Sequence, residues 1–544
     1  MTDVDVLLPE LTYEILQYFR YDYKSLHSCI LVNKLWCRLS MPLLWEDPFS
    51  IPVQHNEIIK FCLCNLNKED KDKYFKKNNN AFPNTFFNYS SFIKYLNTHN
   101  IGRSIENLFT KDIVKTKFIY WLFFKTIIEN ARLRSFEVLM ITDRDYIYFY
   151  EIFGLISQRP NFLFNIRYLT LHFNSYANLT KHIFPFLNII YSNCNSITSI
   201  DTQFHYYKSR DEFKDVYNNL SIEDCLSKII FSQRNLKKIL FEYNTTLPHS
   251  LISLKDSYCS NTLTTIIFYS VNFQNNFALQ EVFNNLNVLE SVHIINCYLD
   301  SNFVLQITSI TNSFQLKTLF LDEILEVESL QLLLQKFGEN LENFGIEIVE
   351  LLDLGSFAQE IFKNILKYCG NIKILNLPVG ICKENIELVL SLIDNIKYNL
   401  NYLLIDVYNV EFSNVDIELS TILLQNLGQI LPTKLEYLCL NIMINDMDDF
   451  EIFLKNSQNT FIKRLLIRNE KCEGSRDIFP HIKKYIMKER RVKYLAIEES
   501  FDEQHDVDWL FLEDRVRECE SYNIQIINYD QLYIEFYEFI KEMS

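Results

Sequence analysis

The feature that most constrains the fold is a short apolar pattern that returns about every 30 residues from residue 133 to residue 524. It consists of an apolar residue, two variable residues, an apolar residue, one variable residue and a last apolar residue. The pattern occurs fourteen times, for example as "LRSFEV" from residue 133, "LKTLFL" from 316 and "VKYLAI" from 492. A repeat of this length is typical of a solenoid, in which each repeat stacks on the next.

Each repeat predicts one strand followed by one helix. The last two apolar residues alternate with variable residues, as in a short strand with one buried face. Connecting segments such as "NFALQEVFNNL", residues 276–286, have apolar residues at roughly helical spacing. The connections, of about 20 residues, are long enough for a helix that returns the chain to the start of a parallel strand. Since a single repeat cannot bury its strand and its helix, the repeats must stack.

With these repeats, residues 131–544 resemble the leucine-rich repeat in its longer, helix-bearing form. The resemblance implies an α/β fold, a leucine-rich-repeat solenoid with parallel strands on the concave side and helices on the convex side. The asparagine or cysteine that usually follows the strand in this family is mostly missing here. We expect this solenoid to make up most of the protein.

Three short amphipathic helices are predicted before the repeats. In "LLPELTYEILQYF", residues 7–19, Pro9 marks a helix start and the apolar residues that follow share one face. In "YDYKSLHSCILV", residues 21–32, Asp22 is a suitable cap for a second helix. "NKLWCRLS", residues 33–40, predicts a third helix that ends before Pro42. So small a unit is at the limit of independent folding, and we expect a partner to complete it.

These residues, together with Trp36, Leu44 and Trp45, resemble an F-box. One difference is that Pro9 directly precedes Glu10, whereas one residue separates the Leu-Pro pair from the acidic residue in the family. The resemblance implies an F-box domain over residues 1–48 that binds the Skp-type adaptor of a cullin-based ubiquitin ligase. The residues expected to contact that adaptor are Leu8, Pro9, Leu11, Ile15, Leu16, Leu26, Leu31, Val32, Trp36, Leu44 and Trp45. Alternatively, Trp36 and Trp45 only close the end of the solenoid.

The part between these two regions, residues 49–130, does not follow the repeat. Its segment "NLNKEDKDKYFKKNNNAF", residues 65–82, is polar and of low complexity, so we expect an exposed, disordered loop there. Residues 86–130 are rich in aromatic residues and predict helices that cap the first repeat strand. We therefore assign residues 49–130 to a variable linker and helical cap.

A target protein is expected on the concave face. The variable positions beside the last two apolar residues of each repeat point to that face, and aromatic residues and arginine are enriched in binding hot spots. The residues expected to bind the target are Tyr168, His172, Tyr269, His293, Phe320, Tyr402, Tyr437, Arg464, Arg468, Tyr494 and Glu498. Alternatively, 32 Tyr and 44 Phe are so many that some must fall on any face.

Composition argues against several other partners. A formal net charge of −16 repels phosphate backbones, so we expect no nucleic-acid partner. The most apolar run, "FIYWLFF" at residues 118–124, is too short to span a membrane, and we expect no membrane partner. The first residues carry acids where a signal peptide carries lysines, and the cysteines have no disulfide-framework spacing. Both features favour a cytoplasmic or nuclear protein with reduced thiols.

Motifs for catalysis are missing from the sequence. It contains no glycine-rich phosphate loop, no GxSxG elbow and no HExxH zinc motif, so we expect no catalytic residues, no metal and no cofactor. The leading hypothesis is a non-catalytic subunit of an SCF-type cullin ubiquitin ligase. This subunit would bind the Skp-type adaptor and the cullin core through its F-box and an unknown target through its repeats. The alternatives are a leucine-rich-repeat scaffold without a ligase role and a sensor with a small-molecule pocket in the solenoid.

Overall fold

The computed structural model forms two compact units, one of residues 1–263 with 285–288 and one of residues 264–284 with 289–544. The structure describes residues 9–50, 55–64, 86–108, 113–174, 180–205, 212–243, 248–274, 279–322, 325–346, 355–377, 381–407, 414–471, 476–501 and 505–544. The loop predicted at residues 65–82 lies outside these residues.

The first unit contains ten described helices and five strands. The helices are α1 (Pro9–Gln17), α2 (Tyr23–Ile30), α3 (Lys34–Leu44), α4 (His55–Leu63), α5 (Thr98–Leu108), α6 (Ile113–Asn130), α7 (Asp143–Gln158), α8 (Thr180–Asn193), α9 (Glu212–Ser232) and α10 (Pro248–Lys255). The strands are β1 (Tyr95–Asn97), β2 (Ser135–Met140), β3 (Tyr168–Asn174), β4 (Ser199–His205) and β5 (Lys238–Glu242). From β1 to β5, neighbouring strands pair in parallel in chain order.

In the second unit, the described helices are α11 (Leu279–Asn285), α12 (Ser301–Thr308), α13 (Val327–Phe337), α14 (Gly355–Tyr368), α15 (Ile386–Ile396), α16 (Asn414–Ile430), α17 (Met447–Asn456), α18 (Phe479–Ile482), α19 (Glu513–Ser521), α20 (Tyr529–Leu532) and α21 (Phe536–Met543). Its strands are β6 (Thr265–Tyr269), β7 (Ser291–Ile295), β8 (Gln315–Leu321), β9 (Asn343–Ile346), β10 (Ile374–Leu377), β11 (Tyr402–Asp406), β12 (Lys434–Ile442), β13 (Phe461–Lys471), β14 (Val492–Phe501), β15 (His505–Asp508) and β16 (Gln525–Ile526).

The strands of the second unit run parallel from β6 to β14 in chain order. After β14 the order changes, because β15 pairs with it antiparallel and β16 pairs with it parallel. All fourteen strands predicted from the repeat are confirmed, each at its expected place. The structure adds β1, which lies in the region assigned to the cap, and β15.

The helices pack on one face of each sheet. In the first unit, the ring of Phe136 on β2 lies edge-on to Phe186 of α8 at 6.4 Å. In the second, Phe268 on β6 contacts Phe273 at 5.0 Å, and Phe273 contacts Phe303 of α12 at 4.7 Å. The opposite face, which carries alternate residues such as Tyr168 and Tyr402, is here named the inner face. Both units therefore have the architecture of a leucine-rich-repeat solenoid.

The third N-terminal helix continues past Pro42 to Leu44, so the prediction that it ends before Pro42 is wrong. Proline removes one N–H donor from the helix, which normally favours a helix end. Here Leu43 is buried in the core of the three helices, and Trp45 donates its N–H to the carbonyl of Met41 at 3.1 Å. The burial and this hydrogen bond hold the last turn together.

Gly345, on the inner face of β9, leaves room for an aromatic ring. A Cβ atom at this position would lie 2.6 Å from Cε1 of Phe320 and 2.8 Å from Cβ of Asn376. By contrast, a Cβ atom at Gly154 of α7 would meet nothing within 4 Å. The two glycines therefore differ in the space that surrounds them.

We expect Gly345→Ala to lower the free energy of unfolding by about 1–3 kcal/mol, because the ring of Phe320 must move out of its place. The control, Gly154→Ala, should raise it by about 0.5–1 kcal/mol, because alanine favours an exposed helix position. Urea unfolding measures both variants. Equal effects of the two substitutions would contradict this packing of Phe320.

Candidate protein-binding surfaces

The three N-terminal helices close around their own small core of Leu16, Leu26, Cys29 and Leu43. Two side chains fix the helix starts. Asp22 accepts a hydrogen bond from the N–H of Ser25 at 3.1 Å, and Asn33 accepts one from the N–H of Trp36 at 2.9 Å. These caps satisfy N–H groups that have no partner within the helix. The unit therefore has a defined shape.

Much of the apolar surface of this unit remains open. The exposed fraction is 51% for Leu11 and 39% for Ile15 on α1, and 75% for Leu31 and 59% for Val32 after α2. Of the other residues predicted to bind the adaptor, Pro9 is exposed, Trp36, Leu44 and Trp45 are partly buried, Leu16 and Leu26 lie fully in the core, and Leu8 lies outside the described residues. Large apolar side chains exposed together on so small a unit are typical of an interaction site.

Trp45 and Glu46 join this unit to the region that follows. The ring of Trp45 packs on Tyr89 at 4.3 Å and on Phe61 at 5.9 Å. The buried carboxylate of Glu46 accepts a hydrogen bond from Nε of Arg20 at 2.7 Å and forms an ion pair with Lys94. The carbonyl of Glu46 accepts the N–H of Lys94 at 2.9 Å, one residue before β1. Glu46 thus ties the helices to the first strand.

The next residue, Asp47, lies in surroundings that disfavour its ionised form. Burial, and then the nearby carboxylate of Glu137 on β2, raise the pKa of Asp47 to about 6, although hydrogen bonds from Ser50 act in the opposite direction. An acid whose pKa is higher in the folded state stabilises the protein when protonated, and this stability is lost as the pH rises through about 6.

The inner face of the first unit carries two of the residues predicted to bind a target. Tyr168 on β3 is 46% exposed, and His172 on the same strand is mostly buried. His172 lies beside Asp201 of β4 and Glu242 of β5, and the donor atoms of these three residues are all within 4.8 Å of one another. Imidazole and carboxylate groups suit a divalent cation such as Zn²⁺ or Mn²⁺. The sequence analysis missed this group, because only strand pairing brings the three residues together.

On the inner face of the second unit, four predicted residues form one row. Tyr402, Tyr437, Arg464 and Tyr494 are register neighbours on β11, β12, β13 and β14. Tyr437 is completely buried, whereas the other three side chains are partly exposed. The sheet thus brings together residues that are far apart in the sequence.

A second row of the same face contains an ion pair. Arg468 on β13 donates a hydrogen bond from Nε to Oε2 of Glu498 on β14 at 2.6 Å. Its guanidinium group also lies 4.5 Å from the ring centre of Tyr529. Both predicted residues, Arg468 and Glu498, are therefore engaged within the unit.

Further along this face, His293 is buried in a chain of polar contacts. Its Nδ1 lies 2.8 Å from Oγ1 of Thr318, and the side-chain amide of Asn343 donates to the same oxygen at 2.8 Å. The three residues lie on adjacent strands β7, β8 and β9. His293 is 5% exposed, so it offers little surface to a target in this arrangement.

Residues 527–544, here named the covering segment, lie across the inner face of the second unit. Two of its aromatic rings stack on rings of the sheet, Tyr537 on Tyr269 at 4.0 Å and Phe536 on Phe320 at 4.7 Å. A third ring, that of Phe539, lies tilted against Tyr402 at 4.8 Å. The N–H of Ile534 also donates to the hydroxyl of Tyr437 at 3.4 Å. The covering segment therefore occupies several of the positions predicted for a target.

The sequence analysis did not identify the covering segment. Its signal is the dense aromatic run "YIEFYEF", residues 533–539, directly after the last weak repeat. Tyr537 and Ile540 are almost fully buried there, which the repeat pattern does not indicate.

A small cavity of about 220 Å³ lies between α20 and strands β10–β13. Its lining includes Asp406, Asn441, Arg468, Tyr529 and Tyr533. Pockets that enclose drug-sized ligands usually measure about 300–1,000 Å³, so this one is small for a sensor. In the part of the chain that the structure describes, no helix is both long and apolar enough to cross a membrane.

No protein-family model and no curated protein matches this chain. Among solved structures, the chain is similar to one described as the crystal structure of the Rad7 and Elc1 complex in yeast. The identity is 13% and the TM-score is 0.36, over 86% of this chain and 94% of that chain. At this identity and TM-score, the similarity does not determine a function for the chain.

We expect Asp47→Asn to stabilise the protein at pH 7.5 by about 1–3 kcal/mol, because asparagine keeps the shape and removes the buried charge. The gain should shrink as the pH falls below about 6 and vanish only well below the ordinary aspartate pKa of 3.8, where Asp47 is protonated in both the folded and the unfolded state. Chemical unfolding at a series of pH values measures the difference. In the control, Asp256→Asn at an exposed position, stability should change little at any pH. A pH-independent gain for Asp47→Asn would contradict the assignment.

Proposed function

We propose that this protein is the substrate-recognition subunit of an SCF-type cullin ubiquitin ligase, without catalytic activity of its own. The single observation that carries the proposal is the exposed apolar surface of the three N-terminal helices, formed by Leu11, Ile15, Leu31 and Val32. When a partner covers such residues and removes them from water, the complex is stabilised. The F-box resemblance of the same residues favours a Skp-type adaptor as that partner.

The role of the remaining residues of the unit follows from their burial. Leu16 and Leu26 support the helices from inside, since both are fully buried. Trp45 and Glu46 fix the direction in which the unit is held, through Tyr89 and Lys94. A ligase subunit needs a rigid connection between its adaptor-binding helices and its repeats, because the target must be held at a defined distance from the transferred ubiquitin. We propose a cytoplasmic or nuclear location for this activity.

The target would bind the inner faces of the repeats. The best candidates among the described residues are Tyr168 in the first unit and Arg464 and Tyr494 in the second, since these side chains remain partly or well exposed. Aromatic residues and arginine contribute much of the energy of protein interfaces. An arginine on an otherwise acidic protein also favours an acidic segment of the target.

A repeat scaffold without a ligase role is the second candidate. The observation that favours it is the packing of Trp45 on Phe61 and Tyr89, because this ring already serves to close the start of the repeat region. In that case the exposed leucines would contact a different protein. Adaptor capture distinguishes the two functions.

We expect Leu31→Glu with Val32→Glu to abolish capture of a Skp-type adaptor in a pull-down. Loss of central apolar contacts in an interface commonly costs ~2 kcal/mol or more, and buried charges add to this. Because both side chains are largely exposed, the thermal stability of the chain should hardly change. The matched control is Leu305→Glu, a 62% exposed leucine on α12, which should leave capture intact. Undiminished capture by the double variant would rule out this surface.

A further prediction concerns the target, first identified by affinity capture with ligase activity blocked. Arg464→Ala with Tyr494→Ala should weaken target capture roughly 10-fold or more, because each side chain is of a hot-spot type. Adaptor capture should be unchanged. Tyr398→Ala, at a position 89% exposed in the turn after α15, is the matched control and should bind normally. If the double variant and the control retain the target equally, the inner face of β13 and β14 is not its site.

A further inference from the structure

The covering segment is held to the inner face in two different ways. Around α20 the attachment is polar. The main-chain N–H of Tyr529 donates to Oδ2 of Asp508 at 2.7 Å, and the side-chain amide of Asn528 donates to the same oxygen at 2.9 Å. The hydroxyl of Tyr529 lies 3.2 Å from Sγ of Cys439, and Arg468 lies over its ring. This half is fixed by directional contacts to β12, β13 and β15.

The other half, α21, contacts the sheet through stacked rings. Phe536 and Tyr537 are adjacent in the chain, and each lies nearly flat on a ring of the sheet, with interplanar angles of 21° and 8°. Stacking of this kind is specific for aromatic side chains but not for one particular chain. The receptor is well formed, because Gly345 leaves the space that the ring of Phe320 needs.

The fit of α21 is also imperfect. The hydroxyl of Tyr537 is buried without a hydrogen-bond partner, which costs free energy relative to a hydrated hydroxyl. A helix of 8 residues is not stable by itself in water, so α21 depends on its contacts with the sheet. The link to α20 is short: Tyr533 and Glu535 are exposed, and the buried Ile534 between them donates one long hydrogen bond of 3.4 Å to the hydroxyl of Tyr437. These features indicate that α21 binds the inner face weakly enough for a segment with a better fit to displace it.

We propose that α21 is an internal occupant of the target site, and that the target supplies a short helical segment with two adjacent aromatic residues. These two side chains would replace Phe536 and Tyr537 on Phe320 and Tyr269. The inference rests on the proposed role of the repeats as a target receptor, and it adds the chemistry of the bound segment. Only molecules in which α21 has left the inner face can bind the target. The apparent affinity is therefore the intrinsic affinity multiplied by the fraction of molecules in this open state.

The test uses the full chain and a fluorescent peptide with the sequence of residues 534–544. In an opened variant, Phe536→Ala with Tyr537→Ala, the face should bind this peptide roughly 10- to 100-fold more tightly than in the wild-type chain, as measured by fluorescence anisotropy. A peptide with alanine at both aromatic positions should not bind. Adding Phe320→Ala to the opened variant should abolish binding of the aromatic peptide.

A second variant covers the case in which the opened variant does not fold. Tyr537→Phe keeps the ring and removes the buried hydroxyl, so α21 should close more tightly and peptide binding should fall roughly 5-fold or more below that of the wild-type chain. Equal peptide binding by the wild-type chain and Tyr537→Phe, or no preference of the opened variant for the aromatic peptide, would overturn the proposal. Adaptor capture is measured in parallel, so a failure of the ligase role is seen separately.

Discussion

The fold depends on the fact that one strand and one helix cannot bury each other completely. In both units, parallel hydrogen bonding joins each strand to its neighbours, and the connecting helices cover one face of the sheet. The helices leave the inner face to be covered by other parts of the chain. In the second unit, the covering segment places aromatic rings on Tyr269, Phe320 and Tyr402 of the inner face, and all residues of β7 and β9 are buried. In the first unit, the inner face retains the exposed Tyr168 and the polar group around His172.

Two acids, Glu46 and Asp47, lie where the N-terminal helices join the first sheet. Glu46 is buried, but Arg20 and Lys94 compensate its carboxylate, so it holds the N-terminal helices in place. Asp47, one residue later, has no such cation among the described residues; burial, and then the neighbouring carboxylate of Glu137, raise its pKa to about 6. The charge of Glu46 thus stabilises the junction, whereas the charge of Asp47 destabilises it. The difference lies in the groups that surround the two carboxylates.

The proposed function assigns the two kinds of surface to two partners. The exposed leucines on the N-terminal helices suit an apolar adaptor surface, and the aromatic inner face suits a segment of the target. The covering segment links stability to this function, because the contacts that bury the inner face are also those that a target would compete for. A receptor that carries its own weak occupant is protected from non-specific apolar contacts when no target is present.

The sequence by itself determined the repeat, because an apolar pattern with a strand period and a helix-length connection has few other folds available. It also determined the three N-terminal helices and the alternation that places Tyr402, Tyr437, Arg464 and Tyr494 on one face. Only the tertiary structure decided which of these residues are open, since burial depends on segments that are distant in the chain. The covering segment, the group of His172 with Asp201 and Glu242, and the course of α3 through Pro42 all result from such long-range contacts, which a local pattern does not contain.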